Sequence, residues 1–358
     1  MSRLDPRERW LLLAVLALTA VAAITRYVGG VSEILAFVVA GLALAGQAWI
    51  VSNATERVGM HFGSAVTGTL QSTVGNLPEF FVVVFALQAG DTVVAQTALL
   101  GSILVNALLL LGLVLIAGSL RARDGIMRFS ARLPNDTATL LLVASFIIAL
   151  LGLTRFSSDA ASRHGQTISI VGAVVLLCIY AVWLRQYLLS EGEEEKQAQT
   201  APGTVRQSVA GPLVRLVLAG LASAFTSDWF VHALEPSIRQ LHISHAFAGL
   251  VIVAIAGNAV EHVVGVVLAL RGRNDLAISV VKSSVAQVAA FMYPALVLIS
   301  LLLRSHLTFA LAPVYVGALA GTAILIWQIT GDGEATPFEG AALIGAFVLL
   351  ATVAAFET

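Results

Sequence analysis

Apolar residues run along this chain in long blocks separated by short polar gaps, with no strand-like alternation between them. A helix needs roughly 20 apolar residues to cross the hydrocarbon core of a bilayer. Eleven stretches reach that length, at about 10–27, 31–51, 58–89, 91–118, 134–154, 166–188, 212–235, 243–270, 275–303, 307–328 and 337–356. The pattern predicts an all-α polytopic membrane protein with about 11 transmembrane helices. Stretches 58–89 and 243–270 are long, and each carries a Gly-Asn pair in its middle, so both helices are expected to break or bend there. The first stretch follows Arg3, Arg7 and Arg9 and has the outline of a signal peptide. Its apolar run is long for a signal core, so an uncleaved first helix is expected.

Composition agrees with burial in lipid. Hydrophobic residues make up 58% of the 358 and charged residues only 11%, against about 25% charged in soluble domains. A net charge of −1 gives no field that would draw nucleic acid. Cys178 stands alone, which excludes an internal disulfide framework and a multi-cysteine zinc site. With the N-terminus in the cytoplasm, thirteen Lys and Arg residues fall in inside segments and five in outside loops (Arg26, Arg155, Arg163, Arg239 and Arg304). That bias predicts a cytoplasmic N-terminus and, with eleven crossings, an outward C-terminus. The expected location is the inner membrane of a prokaryotic cell. Ser190 to Gly211, with Glu191, Glu193, Glu194 and Glu195, reads as a solvated cytoplasmic linker.

Two segments of the chain echo each other. Gly75-Asn76-Leu77-Pro78-Glu79 and Gly257-Asn258-Ala259-Val260-Glu261 stand 182 residues apart. Gly101-Ser102 and Ser283-Ser284 repeat the same offset, and Asn106 has Gln287 as a counterpart one residue out of step. The expected organisation is an N-terminal helix (1–28), a first repeat of five helices (29–188), the acidic linker (189–211) and a second repeat of five helices (212–358). An odd number of crossings turns the second repeat upside down. Inverted repeats with broken helices are a transporter architecture. Gly317 and Gly321 have a spacing that suits helix packing.

The chemistry concentrates in the two motifs. An ionised carboxylate in hydrocarbon costs a few kcal/mol or more, so Glu79 and Glu261 must be protonated, paired or bound to a cation. Asn76 and Glu79, like Asn258 and Glu261, are three apart and share a helix face. Gly75 and Gly257 let the backbone bend and expose carbonyl oxygens, and Pro78 is expected to loosen the first helix. Ser102, Asn106, Ser284 and Gln287 add neutral oxygens from the following helices. The set is oxygen-rich and carries two negative charges, which suits a hard divalent cation such as Ca²⁺, with Glu79 and Glu261 as its metal ligands. Only His262 offers a nearby nitrogen, which disfavours a soft metal. Protons and cation then compete for the same carboxylates. Asn, Ser and Gln can also act simply as interhelical glue.

Oxygen ligands alone leave Na⁺/H⁺ or Mn²⁺/H⁺ exchange open as alternatives. An intramembrane enzyme would need a nucleophile with its base, or a metal motif such as His-Glu-x-x-His, and neither pattern occurs. No cofactor is expected. The partners are the transported cation, protons and the bilayer. A passive channel would not need two titratable carboxylates at the midplane.

These residues resemble the bacterial and vacuolar Ca²⁺/H⁺ exchangers of the Ca²⁺/cation antiporter superfamily. The resemblance spans nearly the whole chain. It is strongest at Ser244-His245-Ala246-Phe247-Ala248-Gly249-Leu250 leading into Gly257-Asn258-Ala259-Val260-Glu261-His262. Ala54-Thr55-Glu56, Gly101-Ser102-Ile103-Leu104-x-Asn106 and Ser227-Asp228-Trp229-Phe230-Val231 also match. The resemblance implies alternating access, with Glu79 and Glu261 binding cation and protons in turn. It implies His262 beside the site as a proton sensor and Asp228 on a proton path. For both, a bonded residue inside the bundle is the alternative. The chain departs from the family at Leu77-Pro78, which leans toward sodium/calcium relatives, at Ala254, and at Ser283 and Val285. Lys282 stands where the family is apolar. Its long stem could carry the ammonium to the cytoplasmic headgroups, and helix geometry turns it away from Ser284.

Overall fold

The computed structural model describes residues 6–28, 30–59, 75–130, 132–198 and 210–357. The chain clusters into two compact units, residues 1–85 with 181–242 and residues 86–180 with 243–358. Each unit therefore draws on both halves of the sequence.

The first unit contains α1 (Pro6–Tyr27), α2 (Glu33–Gly59), the beginning of α3 (Leu77–Ala89), the end of α7 (Gly165–Ala198) and α8 (Ala210–Leu241). Phe37 on α2 stacks on Phe230 of α8 with ring centroids 4.8 Å apart. Buried Gln47 on α2 donates to Thr19 of α1 at 3.0 Å and to Thr226 of α8 at 2.8 Å. One amide thus ties three helices where no water is available to satisfy it. The outer face of α8 exposes Leu213, Val214, Val217, Leu218, Leu221 and Phe225, an apolar stripe of the kind that faces lipid.

The second unit holds the rest of α3 and α7, with α4 (Thr92–Leu104), α5 (Leu111–Arg121) and α6 (Arg132–Phe156). From the second half of the chain it takes α9 (His245–Phe247), α10 (Ala254–Gly257), α11 (Ala259–Leu270), α12 (Asn274–Gln287) and α13 (Tyr293–Ser300). It is completed by α14 (Pro313–Thr330) and α15 (Pro337–Ala355). Three π turns sit within these helices: Val105–Leu110 joins α4 to α5, Ala248–Val253 joins α9 to α10, and Val288–Met292 joins α12 to α13. A π turn inserts one residue into an α-helix and often marks a functional site.

Among the described residues, nine helices are long and apolar enough to cross a membrane, and ten if one bent pair counts as a single crossing. The bent pair is the expected broken helix, whose segments His245–Gly257 and Glu261–Leu270 differ in direction by 60°. The other long stretch, 58–89, lies partly outside the described residues, and its described part is the apolar helix α3.

The structure departs from expectation in three places. The acidic run forms no loop as far as it is described: α7 continues through Glu191, Glu193, Glu194 and Glu195 to Ala198. Glu, Lys, Gln and Ala are strong helix formers, so the helix outlasts its apolar segment. A two-stranded ladder, β1 (Met127–Arg128) against β2 (Glu334–Ala335), joins two turns of the second unit. Arg128 there pairs with Asp124 at 2.7 Å and Glu334 at 3.1 Å. Its guanidinium holds the Asp124 carboxyl below the usual range. The Gly317 and Gly321 positions meet nothing within 4 Å, so they make no close contact among the described residues. Gly112 on α5 instead meets Gly340 on α15, where an added Cβ on Gly112 would come within 2.6 Å of the Gly340 carbonyl oxygen.

Candidate functional site

The two Gly-Asn-x-x-Glu motifs adopt the same local geometry. In each, the asparagine precedes a helix and its backbone carbonyl accepts that helix's first hydrogen bond: Phe80 N donates to Asn76 O at 2.9 Å and His262 N to Asn258 O at 3.1 Å. Asn258 has φ −105° and ψ 13°, a sparsely allowed bridge conformation that interrupts the helix between α10 and α11. Glu79 and Glu261 therefore both lie in the first turn of their helices, α3 and α11. Backbone N–H groups there lack intrahelical acceptors, and the helix dipole favours negative charge. This geometry also corrects the expectation for Pro78. In the first turn its missing N–H leaves no bond unmade and its fixed φ suits helix initiation, so it starts α3 rather than loosening it.

In the second unit the structure brings together most of the residues named from sequence. Ser102, Asn106, Asn258, Ser284 and Gln287 are all buried. Asn258 Nδ2 donates to Ser102 Oγ at 2.8 Å and to the Ala254 carbonyl at 2.9 Å. Asn106 Nδ2 donates to Asn258 Oδ1 at 3.3 Å and to Ser284 Oγ at 3.0 Å. His262 Nε2 lies 3.2 Å from Asn106 Oδ1. These bonds are mutually consistent when His262 donates from Nε2, which gives one direction to the whole chain, His262 to Asn106 to Asn258 to Ser102. Ser284 also bonds the Glu261 carboxyl. The other carboxyl oxygen, Glu261 Oε2, is buried with no hydrogen-bond partner among the described residues. Gln287 lies on the same helix as Ser284, three residues on.

Backbone contact between helices sets this register. An added Cβ at Gly101 would lie 2.3 Å from the Leu250 carbonyl oxygen, and one at Gly249 would lie 2.0 Å from Thr97 Oγ1. Only glycines let α4 and the Ala248–Val253 turn approach this closely, and the approach puts Ser102 beside Asn258. The π turns begin beside the polar residues: Asn106 is inside one, and Gln287 immediately precedes another.

Glu79, Asn76 and Gly75 belong to the first unit. Glu79 is 1% exposed and Asn76 5%. Buried Ser227 on α8 donates to the Pro78 carbonyl at 3.2 Å, which ties the first motif to the Ser227-Asp228-Trp229 segment. Asp228 is part-buried. Ala54 is buried on α2, while the side chains of Thr55 and Glu56 lie outside the described residues.

Lys282 corrects another expectation. Instead of reaching the headgroups it is buried, and its Nζ donates to Thr330 Oγ1 at 2.6 Å. The Thr330 hydroxyl is itself committed to the Ile326 carbonyl at 2.6 Å. The ammonium thus meets the last residue of α14. Sequence reasoning missed Thr330 and the role of Ser227, because a single hydroxyl in an apolar helix carries no signal of its distant partner.

The sequence model of the family described as Sodium/calcium exchanger protein matches residues 32–186 and 211–356. The Ca(2+)/H(+) antiporter of Aphanothece halophytica is 26% identical over 333 residues, which cover 89% of each chain. The Ca(2+)/H(+) antiporter ChaA of Bacillus subtilis (strain 168) is 28% identical over 306 residues, covering 84% of this chain and 86% of that one. The solved structure of native YfkE superposes with a TM-score of 0.78 at 25% identity, covering 96% of this chain and 98% of the other. The resemblance carried by the motifs is thus borne out over most of the sequence, and the chain belongs to the sodium/calcium exchanger protein family.

Proposed function

We propose that this chain is a secondary active transporter that exchanges Ca²⁺ for H⁺ by alternating access. Relatives that match it over most of both lengths are named Ca²⁺/H⁺ antiporters. The observation that carries the reading is Glu261, a carboxylate inside a membrane segment, with one buried oxygen that has no partner among the described residues and lies beside a cluster of amide and hydroxyl groups. A buried carboxylate oxygen without a partner is costly unless a proton or a cation meets it.

The chemistry of exchange follows from that competition. With a proton on Glu261 the carboxyl is neutral, and the amide chain satisfies itself internally. A Ca²⁺ ion needs six to eight oxygens and takes the ionised form. To use an Asn106 or Asn258 side-chain oxygen, the ion must replace the hydrogen bond that the oxygen now accepts. His262 holds the Asn106 amide in its present orientation and therefore influences how readily that exchange occurs. Glu79, in the matching position of the first motif, is the second carboxylate of the mechanism, with Asn76, Gly75, Gly257 and Gln287 supporting the two motifs. Asp228, next to the serine that holds Pro78, is assigned to the proton path. The two inverted repeats, the cytoplasmic N-terminus and the inner-membrane location belong to the same proposal. The two family-matched segments and the Lys and Arg bias support them.

Everted membrane vesicles test the proposal. A preformed inward proton gradient should collapse partly on addition of Ca²⁺ and recover on chelation. Na⁺ and Mn²⁺ in parallel identify the cation. A response to Na⁺ without one to Ca²⁺ would replace the Ca²⁺ assignment, and an ungated leak would defeat exchange.

A further inference from the structure

The first unit contains a second polar feature, unrelated to the two glutamate motifs. The end of α1, the turn after it, the start of α2 and one face of α8 enclose a cavity of about 120 Å³. That is room for several waters or one small polar group. Arg26, Glu33, Trp229 and His232 line it together with Thr25. Two of its donors, Arg26 Nε and Trp229 Nε1, are buried and have no hydrogen-bond partner among the described residues. Glu33 and His232 are exposed, so the cavity opens past them.

Two unpartnered donors on one small cavity call for an acceptor. A buried indole or guanidinium N–H left unbonded is destabilising, and both penalties disappear when a single group with several acceptor oxygens enters. Arg26 lying in the last turn of α1 is favourable for the helix dipole, but that does not satisfy its Nε. The cavity sits at membrane-interface depth. Arg26 and Tyr27 end an apolar span that begins at Glu8. Tyr27 packs edge-on against Trp229, ring centroids 6.2 Å apart, with the Arg26 guanidinium 5.6 Å from the Tyr27 ring centroid. Tyr and Trp concentrate at the headgroup level of a bilayer. A phosphate meets the demand of an arginine and an indole N–H, since it offers several charged acceptor oxygens. Glu33 at the mouth would repel a simple anion, but it matches an ammonium carried on the same molecule.

We propose that this cavity binds the headgroup of a zwitterionic aminophospholipid, with the phosphate on Arg26 and Trp229 and the ammonium toward Glu33. His232 at the mouth adds a further donor to the phosphate. The site does not depend on the cation-exchange reading, and its test reads lipid retention rather than transport.

Native mass spectrometry of detergent-released protein, given equal amounts of phosphatidylethanolamine and phosphatidylglycerol, tests the assignment. Wild type should retain phosphatidylethanolamine about tenfold over phosphatidylglycerol. Trp229→Phe keeps the ring and removes the N–H, and Arg26→Gln removes the charge. Each should lower retention by about tenfold. Arg26→Lys keeps the charge and should retain most of the lipid, which separates lost binding from lost fold. Glu33→Gln should erase the preference between the two lipids without abolishing retention. If Trp229→Phe and Arg26→Gln elute as monodisperse protein and hold lipid as wild type does, the proposal is overturned. If inorganic phosphate or glycerophosphoethanolamine displaces the lipid at equal concentration, the pocket serves a water-soluble phosphate and the lipid assignment fails.

Discussion

At the residue scale, one unpartnered oxygen and one buried ammonium separate the chemistry from the scaffold. Glu261 offers a buried oxygen with no partner among the described residues, while Ser284 bonds its carboxyl. Glu261→Gln keeps the size and removes the charge that, in the proposed mechanism, alternates between proton and cation. Glu79→Gln does the same at the matching helix start. Each should lower Ca²⁺-dependent proton flux by about 100-fold, the loss expected from an interaction of roughly 3 kcal/mol, while the protein still elutes as folded material. Near-normal flux in either variant would sink the two-carboxylate mechanism. Lys282 is the contrasting residue. Because its Nζ is held by Thr330 and helix geometry turns it from Ser284, Lys282→Leu should leave the exchanged cation and its pH dependence as in wild type. A changed cation preference would place Lys282 in the site. Thr330→Val removes the acceptor and leaves the ammonium in an apolar surround of Leu111, Leu141, Val285 and Ile326. It should destabilise by about 1–3 kcal/mol, measured as a lowered melting temperature that Lys282→Leu in the same chain restores.

At the element scale, the sequence showed where helices break but not how they meet. The Gly-Asn pair located the bend between α10 and α11, because a bend of 60° needs a residue that can leave helical geometry and satisfy exposed polar groups. The three π turns were not legible. One inserted residue changes the ladder of hydrogen bonds without changing hydropathy, and the turns became visible only beside Asn106, Gln287 and Gly249. The close approach of α4 to the Ala248–Val253 turn was hidden for a similar reason. Gly101 and Gly249 stood inside recognised motifs, yet the backbone each one meets lies about 150 residues away in sequence. Gly101→Val should push these elements apart and cost about 1–3 kcal/mol by overpacking. It should also abolish exchange, since Ser102 would leave Asn258. Gly317→Ala, where an added Cβ meets nothing within 4 Å, should leave both melting and exchange unchanged. Equal behaviour of the two variants would show that close approach does not set the register of the polar cluster.

At the scale of the whole molecule, the class was legible because lipid imposes it. Long apolar blocks with few charges admit little besides a helical bundle, and the matching motifs 182 residues apart point to duplicated halves. The two compact units were not legible, since each combines segments from both halves through contacts that no local pattern encodes. What the molecule does with its carboxylates should appear as a coupling between pH and cation affinity. In the proposed mechanism Ca²⁺ binds the ionised carboxylates and protons bind the same groups, so the bound ion displaces whatever protons they carry. Affinity must then rise with pH wherever those protons are present, and level off once the carboxylates are ionised without the ion. With two carboxylates the slope of log affinity against pH should approach about two at the acid end and fall toward zero at the alkaline end. Equilibrium ⁴⁵Ca²⁺ binding to purified protein in lipid nanodiscs, from acid to alkaline pH, measures that slope directly. Glu261→Gln should halve the slope as well as weaken binding, because one of the two proton sites is gone. An affinity that stays flat across the range in wild type would mean that protons and Ca²⁺ do not share these groups, and coupling would have to be sought along the Asp228 segment instead.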